Sequence, residues 1–332
     1  MAGVKSFVNA RVVVLGGTGD QGRSVVKALA KSNEFRVSVL TRDPNSAKAQ
    51  ALVSEFPNVK LLEGSYTTEA GLRTAFADQD VTYFNIDTFT VGEGLEYFWT
   101  FRAYEIAIQS GLKWFIYPGS PHRFEDYGFA EKHRNSHNVV ASRLSDWLAT
   151  QPVEQLPWTI TYGGIYVEML SRLLRPHKEG DKVVFKAPMD NDSVVPLIPL
   201  DAYGEHIKWA LRHPNESIGK RLSAGPYEVT YPQIADAFQK ASGKKAEFAS
   251  VSIDDWMTSI SPFVDVEKNF PRGAPDSDPT TFKFRKSFTG WWNMWRDNRK
   301  DPLNEDTRWA EEDYPSRPNT LQDWMMQTKY SV

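Results

Sequence analysis

The segment Arg11-Val12-Val13-Val14-Leu15-Gly16-Gly17-Thr18-Gly19-Asp20-Gln21-Gly22 decides the fold of this 332-residue chain. Arg11–Leu15 is a short valine-rich run bounded by glycine, as expected of a parallel strand covered on both faces. Val25, Val26 and Leu29 then recur at helical spacing from Gln21 to Ser32. A glycine motif between a strand and a helix has a specific physical use. Gly16, Gly19 and Gly22 permit a tight turn, close approach of the backbone to a pyrophosphate, and close packing of helix on strand. The helix start offers unpaired N–H groups and the positive end of its dipole to the same anion. Gly16, Thr18, Gly19, Asp20, Gln21 and Gly22 are therefore expected to bind a dinucleotide.

Strand-like and helix-like segments continue to alternate. Arg36–Leu40, Val59–Glu63, Val81–Ile86, Lys113–Tyr117 and Trp158–Tyr162 read as further strands. Leu72 and Phe76 mark one intervening helix, and an aromatic-rich helix from about Leu95 to Ser110 ends at Gly111, a residue suited to the left-handed C-cap. Val140, Leu144, Trp147 and Leu148 form an apolar stripe on a helix from about Ser136 to Ala149. This order predicts an α/β protein, a Rossmann-type doubly wound parallel sheet over residues 1–162. Residues 163–332 are expected to form a smaller mixed substrate-binding lobe of interleaved segments, including strands near Lys182–Phe185 and Leu197–Ile198 and helices near Ala202–Arg212 and Tyr231–Ser242. Pro262, Pro271, Pro275 and Pro279 suggest a long ordered loop or lid from about Ser261 to Ser287. Tryptophans are dense beyond it, and the chain closes in a helix after Thr320.

Composition removes several functions. The 39 basic and 42 acidic residues give a net charge of −3, so no general attraction to nucleic acid or anionic lipid is expected. With no cysteine, disulfides, thiolate metal sites and cysteine nucleophiles are excluded. Met1–Ala10 carry Lys5 and Asn9 and no apolar leader, and no run approaches the roughly 18 apolar residues of a membrane span. A cytoplasmic protein is the expectation.

The end of the second strand selects the dinucleotide. A carboxylate there would accept the ribose 2′-hydroxyl, but the chain reads Val39-Leu40-Thr41-Arg42, and Arg42 offers a planar fork suited to a 2′-phosphate. Asp43 is its alternative partner. With Lys48, Thr41 and Ser46 as further donors, NADP(H) is expected over NAD. The ends of the fourth and fifth strands, Asp87, Thr88 and Phe89 with Tyr117 and Pro118, complete the cofactor crevice.

These pieces resemble the NmrA-like branch of the atypical short-chain dehydrogenases. The resemblance is carried by Gly16–Gly22, by Thr41-Arg42-Asp43-Pro44, by Pro199-Leu200-Asp201-Ala202-Tyr203-Gly204, and by Ser287-Phe288-Thr289-Gly290-Trp291-Trp292 and Leu321-Gln322-Asp323-Trp324-Met325, which look like the C-terminal region of fungal members. It implies NADP(H) binding and either reduction of a small molecule or cofactor sensing coupled to a protein partner. The Tyr-x-x-x-Lys usual in short-chain dehydrogenases is missing, since none of the 13 tyrosines has lysine four residues on, and the resemblance implies a histidine at the tyrosine position with the lysine kept. His137 occupies the tyrosine position and Ala141 the lysine position, and the expected serine is displaced to Ser120.

Three functions remain open. A reductase of a hydrophobic, aromatic or polyketide-like substrate needs a proton donor, for which Ser120, His122, Tyr127, Lys132, His133 and His137 are candidates. A non-redox isomerase, dehydratase or cyclase, and an NADP(H)-sensing regulator, are the alternatives. Zinc at His133 and His137 fits by spacing but lacks a third ligand, so no metal is expected. Aromatic residues make up 13% of the chain, enough to line a pocket, and Phe89, Tyr97, Phe98, Phe124, Tyr127, Tyr166 and Trp291 are the candidates.

Overall fold

The computed structural model describes residues 6–299 and 308–332. Strand β1 (Arg11–Val14) is almost wholly buried, and its side chains alternate between two cores. Val12 and Val14 face one core, Val13 and Leu15 the other. The first half of the chain continues through α1 (Asp20–Ser32), β2 (Arg36–Thr41), α2 (Ala47–Glu55), β3 (Lys60–Glu63), α3 (Glu69–Phe76), β4 (Val81–Tyr83), α4 (Thr88–Val91) and α5 (Glu93–Gln109). It then runs through β5 (Trp114–Pro118), α6 (Arg123–Asp126), α7 (Ser136–Ala149) and β6 (Trp158–Tyr162). The second half contains β7 (Ile165–Tyr166), β8 (His177–Glu179), β9 (Lys182–Ala187), β10 (Val194–Ile198), α8 (Leu200–Arg212), α9 (Pro214–Ser217), β11 (Lys220–Ser223) and β12 (Tyr227–Thr230). The remaining elements are α10 (Tyr231–Ser242), β13 (Ala246–Ser250), α11 (Ile253–Ile260), β14 (Asn269–Phe270), β15 (Phe282–Lys283), α12 (Phe284–Arg296), α13 (Arg308–Asp313) and α14 (Leu321–Thr328).

The main sheet has seven strands in the order β11-β6-β5-β4-β1-β2-β3, all paired parallel. The order reverses at β1, so the carboxyl ends of β1 and β4 diverge and open a crevice there. This is the expected doubly wound Rossmann-like sheet, with one strand more than the six read from the sequence. The seventh, β11, and helix α8, which packs on α1, both lie beyond residue 163 and join the first body.

Two three-stranded sheets, β12-β10-β7 and β13-β9-β8, build the second body. Its core gathers Phe185, Phe238, Trp256, Phe288 and Trp292. The proline-rich stretch 261–287 is not wholly a loop. It holds the antiparallel pair β14–β15 and the first residues of α12, the helix that carries Trp291, Trp292 and Trp295. Among the described residues no helix is long and apolar enough to cross a membrane.

Candidate functional site

Gly16 turns the chain out of β1 with φ +71°, a left-handed conformation that glycine adopts without strain. Where Gly22 passes back over this turn, a Cβ would lie 2.3 Å from the Gly16 carbonyl oxygen. Only glycine allows α1 to start this close to β1. The helix begins at Gly19 with no side-chain cap, so its first N–H groups are left to whatever occupies the crevice.

That crevice is a cavity of about 750 Å³. Its lining combines Gly16, Thr18, Gly19, Asp20 and Gln21 with Arg42, Ser46 and Lys48 and with Asp87, Thr88 and Phe89. Arg42 is exposed and forms no ion pair among the described residues. Asp43 instead accepts the Asn45 N–H at 2.8 Å, which leaves the Arg42 fork available to an anion. Asp20 is neutralised by Arg172, whose Nη1 lies 2.5 Å away. The donors present, an uncapped helix start with Arg42 and Lys48, suit a dinucleotide carrying an additional phosphate.

A second cavity of about 330 Å³ opens beside the first. Gln21, Asn85, Ile86, Thr88, Phe89 and Tyr166 border both. Ser120, His137 and Asn138 give it polar groups, Pro118 and Ala141 lie beside them in its lining, and Met169, Leu173, Leu174, Phe288, Trp291 and Trp295 give it apolar surface. The positions of the missing Tyr-x-x-x-Lys, His137 and Ala141, therefore both reach this chamber. His137 is half-buried with its ring 5.0 Å from that of Phe89, and its Nδ1 has no partner. Burial lowers its pKa to about 4, so the imidazole is neutral. The Ser120 hydroxyl donates to the Pro121 carbonyl at 3.3 Å and accepts from Asn138 Nδ2 at 3.5 Å.

The other proton-donor candidates lie elsewhere. His133 is buried, with Nε2 2.7 Å from Asp297 Oδ2, and its ring stacks on Tyr127 at 4.2 Å. Lys132 donates to the same oxygen at 2.7 Å. Burial would raise the Asp297 pKa, but these two hydrogen bonds outweigh it and the carboxylate stays below its usual range. The Tyr127 hydroxyl donates to the Met294 carbonyl at 3.0 Å. These residues join the loop before α7 to the end of α12 and line neither cavity. His122 faces Asp146, with Nδ1 2.7 Å from its Oδ2.

Of the aromatic candidates, Phe89, Tyr166 and Trp291 line the chamber. Tyr97 is half-buried on α5 and donates to Glu93 at 3.0 Å, Phe98 is exposed, and Phe124 packs against Phe129. Among the cofactor candidates Tyr117 is buried behind the wall and Pro118 lines the chamber rather than the groove.

Several lining residues went unread in the sequence. Asn85 backs Gly16, where a Cβ would meet the Asn85 carbonyl oxygen at 2.9 Å. Its place at the end of β4 obeys the crevice rule and was open to inference. Arg272 reaches the groove because its N–H bonds the Phe89 carbonyl at 3.1 Å. No local pattern announces that long-range contact. Tyr203 on α8 joins its hydroxyl to those of Tyr83 and Thr161 at 3.1 and 2.8 Å and also bonds Gln21, which ties the glycine loop to β4 and β6.

Comparisons with known proteins agree with this architecture. The NmrA-like family matches residues 8–272. An NmrA-like family domain-containing oxidoreductase, ptmS of Penicillium ochrochloron, is 26% identical over 264 residues, 72% of this chain and 75% of its own. A mutant NmrA structure superposes with TM-score 0.71 at 17% identity, covering 96% of this chain and 94% of that one. The triphenylmethane reductase of Citrobacter sp., solved with NADP(H), gives TM-score 0.65 at 16% identity over 96% of this chain and all of that one (100%). With a family match across most of its length and a glycine loop, crevice and sheet of the corresponding kind, the chain belongs to the NmrA-like family.

Proposed function

We propose that this protein is an NADP(H)-dependent reductase of a hydrophobic, aromatic small molecule. The observation that carries this reading is the shared border of the two cavities: six residues, Gln21, Asn85, Ile86, Thr88, Phe89 and Tyr166, wall both the anion-binding groove and the apolar chamber. A molecule held along the groove can then meet one held in the chamber. The glycine loop and the start of α1 hold the diphosphate, and Arg42 with Lys48 holds the 2′-phosphate. When bound, the reduced nicotinamide supplies a hydride. Trp291, Phe288 and Phe89 clamp an apolar ring system and exclude water, while neutral His137 and Ser120 hydrogen-bond its polar end. The oxidoreductase relatives and the NADP(H) complex of the triphenylmethane reductase support the same reading.

The test is oxidation of NADPH by the purified protein with a panel of aromatic quinones, ketones and iminium dyes, followed at the reduced-nicotinamide absorbance. Absorbance loss with at least one compound supports a reductase. Tight NADPH binding by calorimetry with no loss across the panel refutes it. The row Leu95, Phe98 and Phe101 on α5, at least 39% exposed, favours a second reading, a cofactor-sensing regulator that docks on a protein. That reading requires binding without turnover.

A further inference from the structure

Glu96 sits in the first turn of α5, 4% exposed, against the apolar chamber. Its Oε2 has no hydrogen-bond partner, and no cation pairs with it among the described residues. Arg134 and Arg143 pair instead with Glu93, at 2.5 and 3.4 Å, and Arg123 on the chamber wall lies over the Trp295 ring. A buried carboxyl with one oxygen left without a partner is costly to the fold, so packing gives no reason for it.

Burial and two acidic neighbours favour the protonated form of Glu96. Asp87 at the start of α4 and Glu93 on α5 repel a negative charge, and burial adds to this, while a hydrogen bond with Thr88 acts the other way. Tyr117 of β5 and Tyr66 before α3 are neutral neighbours, and His137, Asn138, Ser120 and Arg123 stand around the chamber. The balance pushes the pKa up to about 8, so near neutral pH the group is a carboxylic acid with a proton to give. Neutral His137 and the Ser120 hydroxyl are far weaker acids.

We propose that Glu96 is the proton donor of the reaction in this chamber, in place of the absent tyrosine and lysine. The inference rests on the reductase reading. The substrate carbon of a C=O or C=N bond accepts the hydride, and the π electron pair moves to the heteroatom. That atom takes the proton from the Glu96 carboxyl, forming an O–H or N–H bond, and water reprotonates the resulting carboxylate once oxidised cofactor and product leave.

Two measurements test it, the first without cofactor. Infrared difference spectra of the cofactor-free protein should show a protonated-carboxyl C=O band, absent in Glu96→Gln, that disappears as pH rises through about 8. Titration of that band in the ordinary carboxylate range overturns the proposal, whether or not the variant folds. For the second, Glu96→Gln should lower kcat by roughly 10²–10⁴-fold, a loss typical of a missing general acid, with unchanged NADPH affinity by calorimetry. Wild-type turnover matched by undiminished turnover in Glu96→Gln overturns the role of Glu96 alone. A wild type that binds NADPH and reduces nothing overturns the reductase reading and the proposal with it.

Discussion

His133 Nε2 lies 2.7 Å from Asp297 Oδ2, and Lys132 Nζ reaches the same oxygen at 2.7 Å, so one carboxylate fastens the loop before α7 to the C-terminus of α12. The contact is structural in position: it holds α12, and with it Trp291 and Trp295, against the chamber. Asp297→Asn should therefore destabilise the protein by about 1–3 kcal/mol in urea unfolding while leaving NADPH affinity intact. A variant of unchanged stability would show that the fastening contributes nothing.

At the other end of the site, the contact between Gly22 and Gly16 leaves no room for a methyl group. Gly22→Ala places a Cβ 2.3 Å from a backbone oxygen that no rotamer change can move. The expected result is a loss of about 3 kcal/mol in stability and of detectable dinucleotide binding. Wild-type affinity in calorimetry would refute the proposed cradle.

Arg42 carries cofactor choice in the proposed function. Arg42→Glu removes the phosphate-binding fork and installs an acceptor for a ribose hydroxyl. The ratio of NADP to NAD affinity should fall roughly tenfold to hundredfold, the worth of one charge-assisted hydrogen bond. An unaltered ratio would remove Arg42 from that role.

The parts of the fold legible in the sequence are those written in local pattern. Val12–Leu15 and the glycines after it declare a buried strand and a tight turn within the 12 residues Arg11–Gly22, and the spacing of Val140, Leu144 and Leu148 declares α7. The chamber is different, because α12 and the Arg272 turn arrive from beyond residue 260 and only tertiary contact brings them to Phe89. Lys132 and His133 illustrate the same limit. Both are candidate proton donors by residue type, yet they follow one another in the short 3-10 turn at Glu131–His133 and bond Asp297. Glu96 was illegible for another reason: helix α5 is apolar on most sides, with Tyr97, Phe98, Trp99 and Phe101 pointing in several directions, so no stripe marks which face is buried.

His137 should give the protein an acid limb of stability. Its pKa is depressed to about 4 by burial, whereas in the unfolded chain the imidazole titrates near 6.5. Above the unfolded value both states are neutral and the full stability is present. As pH falls below about 6.5 the unfolded chain takes up a proton that the folded one refuses, and stability is lost until the folded imidazole also protonates near 4. That window corresponds to at most about 3 kcal/mol. His137→Gln keeps a polar group on the chamber wall but cannot titrate, so its urea midpoint should vary less than the wild type's across this window. Parallel pH profiles for the two proteins would mean that the ring is protonated as readily in the chamber as in water.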